Sequence, residues 1–94
     1  MKFTGWDILT TAGQTHADAQ PAIASWTAFV KHADWSKPND IKQTFPHASI
    51  LADNCVVFNI KGNTYRLVTK IYYPARLVQI RWFGTHTDYD KLKL

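Results

Sequence analysis

The sequence predicts an α+β fold in which two N-terminal helices pack on a small, mostly antiparallel sheet, followed by a short C-terminal helical turn. Three observations carry that expectation. Apolar residues recur at helical spacing through the first third of the chain. Three runs rich in β-branched and aromatic residues then occupy residues 55–61, 64–73 and 77–83. A Thr-x-x-Asp pattern, Thr85 to Asp88, stands just after the last run, with the spacing of a capping box.

Residues 1–4 read as a short edge strand. From Trp6 the pattern is helical, with Trp6, Leu9 and Gly13 about one turn apart, Ile8 beside them and Thr4 as the expected N-cap. The second helix is expected to be capped by Asp18, with Pro21 in its first turn and an apolar stripe of Ala22, Ile23, Trp26, Phe29 and Val30. It should end near Ala33 or Asp34. Ser36-Lys37-Pro38-Asn39-Asp40 reads as a loop, residues 40–45 as one helical turn stopped by Pro46, and residues 47–54 as irregular.

Gly62-Asn63 has the composition of a two-residue hairpin turn, and that sets a register in which Ile60 faces Tyr65, Asn59 faces Arg66 and Phe58 faces Leu67. Side chains alternate across a strand, so Val56, Phe58, Ile60, Tyr65, Leu67, Thr69 and Ile71 share a face that the helices should cover. The other face collects Asn59, Lys61, Arg66 and Lys70. Pairing the third strand through Pro74-Ala75 adds Val78, Ile80 and Trp82 to the apolar face and Gln79, Arg81 and Phe83 to the basic one.

Length and composition narrow the function classes. Ninety-four residues at 46% hydrophobic and 14% aromatic make one domain, residues 1–94, with a real core. Eleven Lys and Arg against seven acidic residues give a charge of +4, which favours a polyanionic partner. No apolar run approaches the roughly 20 residues of a membrane span, and the opening residues do not lead into a signal-peptide core, so no membrane role and a cytoplasmic location are expected. The lone Cys55 reads as a packing residue. No zinc spacing, Walker or dinucleotide loop, or nucleophile elbow is present, so neither a metal nor a cofactor is expected.

A basic sheet face beside His86 and Tyr89, three residues apart on the C-terminal turn, suits RNA cleavage by the ribose 2′-OH. That reaction needs a base, an acid for the leaving 5′-oxygen and fixed positive charge on the phosphorane. Arg66 fits the last role, because a guanidinium binds phosphate oxygens in pairs.

The run VVFNIKGNTYRLVTKIYY, followed by GTHTDYDK and preceded by WTAFVKHADWSKPNDIKQTFPHA, resembles the HigB-type toxins of type II toxin-antitoxin modules, within the RelE-like superfamily. The resemblance runs over residues 1–91 and implies a RelE-like fold. It also implies a ribosome-dependent mRNA interferase that cuts message in the ribosomal A site, held in check in a hetero-oligomer by a helix-turn-helix, HigA-like antitoxin. By the same resemblance, Arg66 falls on the arginine that contacts the scissile phosphate, and His86 and Tyr89 on the proton-handling pair. Val57 and Asn59 stand where RelE carries lysines, which leaves Lys61, Lys70, His86 and Tyr89 as candidates for the base. Asn59, Lys61, Lys70 and Arg81 are expected to hold the RNA. The alternatives are an RNA- or ribosome-binding module that blocks translation by occupancy, and a protein-interaction domain with an acidic partner.

Overall fold

The computed structural model describes residues 1–92. Four α-helices and a five-stranded sheet follow in the order β1 (Lys2–Thr4), α1 (Trp6–Thr15), a 3-10 turn (Ala17–Ala19), α2 (Gln20–Lys31), α3 (Pro38–Thr44), β2 (Ser49–Ile50), β3 (Cys55–Ile60), β4 (Tyr65–Tyr72), β5 (Leu77–Thr85) and α4 (His86–Asp90). The sheet order is β1-β5-β4-β3-β2, antiparallel except for the parallel edge pair β1·β5. The fold is the expected α+β arrangement, consistent with a RelE-like architecture.

The register across β3 and β4 is the expected one, with Asn59 opposite Arg66 and Phe58 opposite Leu67. Every residue assigned to the apolar face of that pair is buried, from Val56 through Ile71. Phe58 sits at the centre of an aromatic cluster, with ring centroids 5.3 Å from Trp26, 6.0 Å from Trp35 and 5.2 Å from Phe45. Such edge-to-face and stacked pairs add to the burial of large rings that already dominates a core of this size.

Four local expectations are corrected. Thr4 does not cap α1; Gly5 holds the N-cap position at φ +77°, and a Cβ there would run into the Ile80 carbonyl where the chain crosses β5. Glycine alone reaches that conformation without strain. Asp18 does not cap α2, which begins at Gln20 and ends at Lys31, short of Ala33; its carboxylate is instead taken by Lys61 and Tyr65. Pro38 occupies the first turn of α3, so that helix starts two residues before the expected Asp40. Residues 49–50, expected to be irregular, form a two-residue strand on β3.

The fifth strand carries the largest correction. The expected pairing holds from Tyr72 opposite Leu77 to Thr69 opposite Ile80, and then Val68 faces Trp82, leaving Arg81 unpaired in a bulge. One extra residue reverses the alternation beyond it. Trp82 therefore joins the basic face, and Phe83 turns to the apolar side, stacking on Tyr65 at 5.4 Å. The basic face is also less open than expected, since Val57 and Val68 on it are only 1% and 4% exposed.

Candidate functional site

Arg66 stands mid-sheet, opposite Asn59 on β3 and Gly84 on β5. Its guanidinium donates from Nη1 to the carbonyls of Asn63 and Tyr65, both at 3.2 Å, and from Nη2 to Asn63 Oδ1 at 2.7 Å. All three acceptors are neutral. The plane of the group is thus fixed while its charge stays uncompensated, the state that favours an incoming phosphate.

Gly84 is buried because the Trp82 indole lies against it. A Cβ at that position would come within 2.6 Å of the ring atoms Cη2 and Cζ2. The missing side chain therefore lets the indole pack against the backbone of the strand next to Arg66. The bulge at Arg81 is what turns that indole to this side.

Beside it runs a groove of about 950 Å³. Cys55, Val68, Lys70, Arg81 and Trp82 line it, with Leu51 to Asp53 on one side and Tyr89 and Leu92 on the other. Lys70 stands opposite Cys55 on β3 and Gln79 on β5, and its ammonium lies 5.6 Å from the Tyr72 ring centre. Burial pushes the Cys55 thiol above its ordinary value, while the charges of Arg81 and Lys70 pull it the other way. A thiol so placed stays protonated and packs.

Thr85 caps α4 as expected, its Oγ1 accepting from the Asp88 N–H at 3.1 Å, the N-cap half of a capping box. The helix folds back on β4 and β5, with the Tyr89 ring 6.3 Å from Trp82. His86 is anchored through its backbone N–H on the Thr64 carbonyl at 3.1 Å. Its imidazole is half exposed, with Nδ1 at 3.9 Å from an Asp90 oxygen, too long for a firm hydrogen bond.

The structure thus brings Lys70, Arg81 and Tyr89 to one groove and sets Arg66 and Asn59 in the adjoining part of the same face. His86 heads α4 outside the groove lining. Lys61 is elsewhere. At φ +54° it breaks the strand's alternation and turns toward the helices, where its ammonium meets Asp18 at 2.8 Å. Among the described residues, ion pairs join Lys61 to Asp18 and Arg76 to Asp34, and none engages Arg66, Lys70 or Arg81. No three His, Cys or Asp side chains gather closely enough to ligate a metal among those residues. No helix described is long and apolar enough to cross a membrane.

Sequence reasoning misses two participants. Asn63 reads as a turn residue only, and nothing in its type signals that its amide holds Arg66. Trp82 reads as a core residue because a bulge leaves no mark in a strand pattern; Gly84, two residues on and inside the extended strand, is the available hint.

Comparison with known proteins agrees with the resemblance carried by the motifs. Residues 19–92 match the family described as HigB_toxin, RelE-like toxic component of a toxin-antitoxin system. Relatives include a protein named mRNA interferase toxin HigB from Escherichia coli (strain K12), and proteins named mRNA interferase HigB from Escherichia coli O157:H7 and Shigella flexneri. Each is 33% identical over 58 residues, which is 60% of this chain and 56% of the relative. The chain therefore spans about half the length of the curated relatives it matches. With the family match extending from the start of α2 through α4 and taking in four of the five strands, β2 to β5, the chain belongs to the HigB toxin family, the RelE-like toxic components of toxin-antitoxin systems.

Proposed function

We propose that the chain is an mRNA interferase that cuts message in the ribosomal A site, so inhibiting translation, and that it works in the cytoplasm under control of a helix-turn-helix, HigA-like antitoxin. The observation that carries this reading is the uncompensated guanidinium of Arg66, fixed by neutral acceptors beside Trp82 and a groove holding Lys70, Arg81 and Tyr89. In the proposed reaction the 2′-OH loses its proton to a base and attacks the adjacent phosphorus. The 5′-oxygen leaves with a proton from an acid, giving a 2′,3′-cyclic phosphate and a 5′-OH end. The protein's own side chains supply both proton transfers without a metal ion.

Arg66 neutralises the phosphorane in this scheme, since fixed donors aimed at developing charge act without reorganising. Tyr89, on the groove, and His86, at the head of the same short helix, exchange the protons. Lys70 and Arg81 hold the flanking backbone, with Asn59 on the strand beside Arg66. Lys61 keeps a weaker claim as an RNA ligand, because binding there must first displace Asp18.

One observation favours a second reading. His86 faces Asp90 rather than the groove, which suits a module that blocks the A site by occupancy alone. Primer extension on message from cells producing the protein separates the two. Cleavage leaves new 5′ ends inside translated codons, absent with Arg66→Ala, whereas occupancy inhibits growth and leaves message intact.

A further inference from the structure

A second cavity, of about 540 Å³, opens at the far side of Asn59 and within the size range of small-ligand sites, roughly 300–1,000 Å³. Phe45, packed edge-to-face on the buried Phe58 at 5.2 Å, gives it one apolar wall, and Thr44, His47, Asn59 and Asn63 line its polar part. Its position follows from where β2 stops. Leu51 N–H donates to the Cys55 carbonyl at 2.8 Å and Ser49 pairs with Val57, so Cys55 and Val57 direct their backbone groups toward β2. By the two-residue alternation of an antiparallel ladder, Asn59 directs its N–H and C=O the same way.

No strand meets them there. The chain turns off before Ser49, with Ala48 N–H donating to the Phe45 carbonyl at 3.0 Å, and the Asn59 groups face the cavity without a partner among the described residues. Asn63 joins this cavity to the site: its Oδ1 accepts from Arg66, and its Nδ2 has no acceptor among the described residues. A planar group laid against that one apolar wall, read by one donor-acceptor pair and a side-chain amide, has the chemistry of a nucleobase.

We propose that this cavity is a nucleobase subsite, which takes the base of a nucleotide next to the phosphate held by Arg66 and gives the protein a base preference at that position. The inference rests on the ribonuclease reading above. Strand addition by a peptide is the weaker fit, because the open edge offers a single outward-facing N–H and C=O pair, whereas added strands use several.

The test uses the full chain in two experiments. Amide NMR is followed during titration with the four nucleoside 3′-monophosphates, with ribose 5-phosphate as the base-free probe. The Asn59 backbone amide and the Asn63 side-chain amide should shift with at least one nucleotide and not with ribose 5-phosphate, and Thr44→Trp, which fills the cavity, should abolish those shifts. His47→Ala, at an exposed loop position, is the second variant and should weaken nucleotide binding roughly tenfold, which keeps the test decisive if the Thr44→Trp substitution perturbs folding. In parallel, 5′ ends are mapped on message cut by wild type and by each variant. A base preference beside the cut that flattens in the variants while cleavage persists supports the subsite.

Identical shifts with ribose 5-phosphate and with every nucleotide overturn it, even if cleavage stands. So does protection of the Asn59 amide by an extended antitoxin peptide and by no nucleotide. Base-dependent shifts in a protein that cuts no message support the subsite and sink the ribonuclease reading instead.

Discussion

At the scale of single residues the site rests on Arg66 and what holds it. Three neutral acceptors orient the guanidinium, so truncation removes a charge without orphaning a carboxylate. Arg66→Ala is therefore expected to move stability by only about half a kcal/mol, the usual scale for a substitution outside the core, while growth inhibition at equal expression is lost. Thermal melts beside growth curves check both halves. His86→Gln and Tyr89→Phe address proton transfer. Each should keep ribosome binding and slow cleavage by roughly a hundredfold or more, the usual worth of a general acid or base, in single-turnover assays. Wild-type rates in both would hand the proton chemistry to Lys70, the remaining titratable cation on the groove. These proposed roles come from residue type, which announces chemistry: an arginine in a YRL element and a His-x-x-Tyr pair can be read from the chain. The partners that aim them, Asn63 and Trp82, are not, since amides and indoles serve turns and cores equally well.

At the scale of elements, two local devices build the face. The bulge at Arg81 turns Trp82 outward, and Gly84 makes room for it. Gly84→Ala should force the indole off and cost about 1–3 kcal/mol, as overpacking does, with quenched or shifted tryptophan fluorescence as the sign that Trp82 moved. The other device is the clasp of the β3–β4 turn onto the helices, where Lys61 first and Tyr65 second hold the Asp18 carboxyl below its ordinary value of 3.8. A depressed folded-state value means the clasp contributes above 3.8 and is lost as the pH falls through the lowered value. The gap in unfolding midpoint between wild type and Asp18→Asn should accordingly be open at neutral pH and close below about pH 3.8. A gap that widens in acid would contradict the clasp. Periodicity reveals the helices and the β3·β4 register because burial enforces it residue by residue. It cannot reveal the bulge, which inserts one residue without changing composition, nor β2, whose two residues carry no period at all.

At the scale of the whole molecule, the +4 charge gains its meaning from sorting. Asp18 and Asp34 pair with Lys61 and Arg76, and no carboxylate pairs with Arg66, Lys70 or Arg81 among the described residues. Binding of single-stranded RNA through those three cations should fall with salt at a log-log slope near −0.7 per phosphate neutralised, about −2 in all, in filter-binding or anisotropy titrations. A flat response would favour a protein partner. Fold class and the identity of the basic face can be read from the chain, since both follow from alternation and charge; the depth of the groove cannot, because it depends on α4 folding back on β4 and β5. The most direct test is cleavage of message on programmed, purified ribosomes, comparing the wild-type chain with Arg66→Ala. Arg66 as the counter-charge to the phosphorane predicts cuts within the A-site codon that end in 2′,3′-cyclic phosphate and 5′-OH, slowed at least about a hundredfold in the variant. Equal rates from the two proteins, or wild-type inhibition with no cut at all, would contradict it.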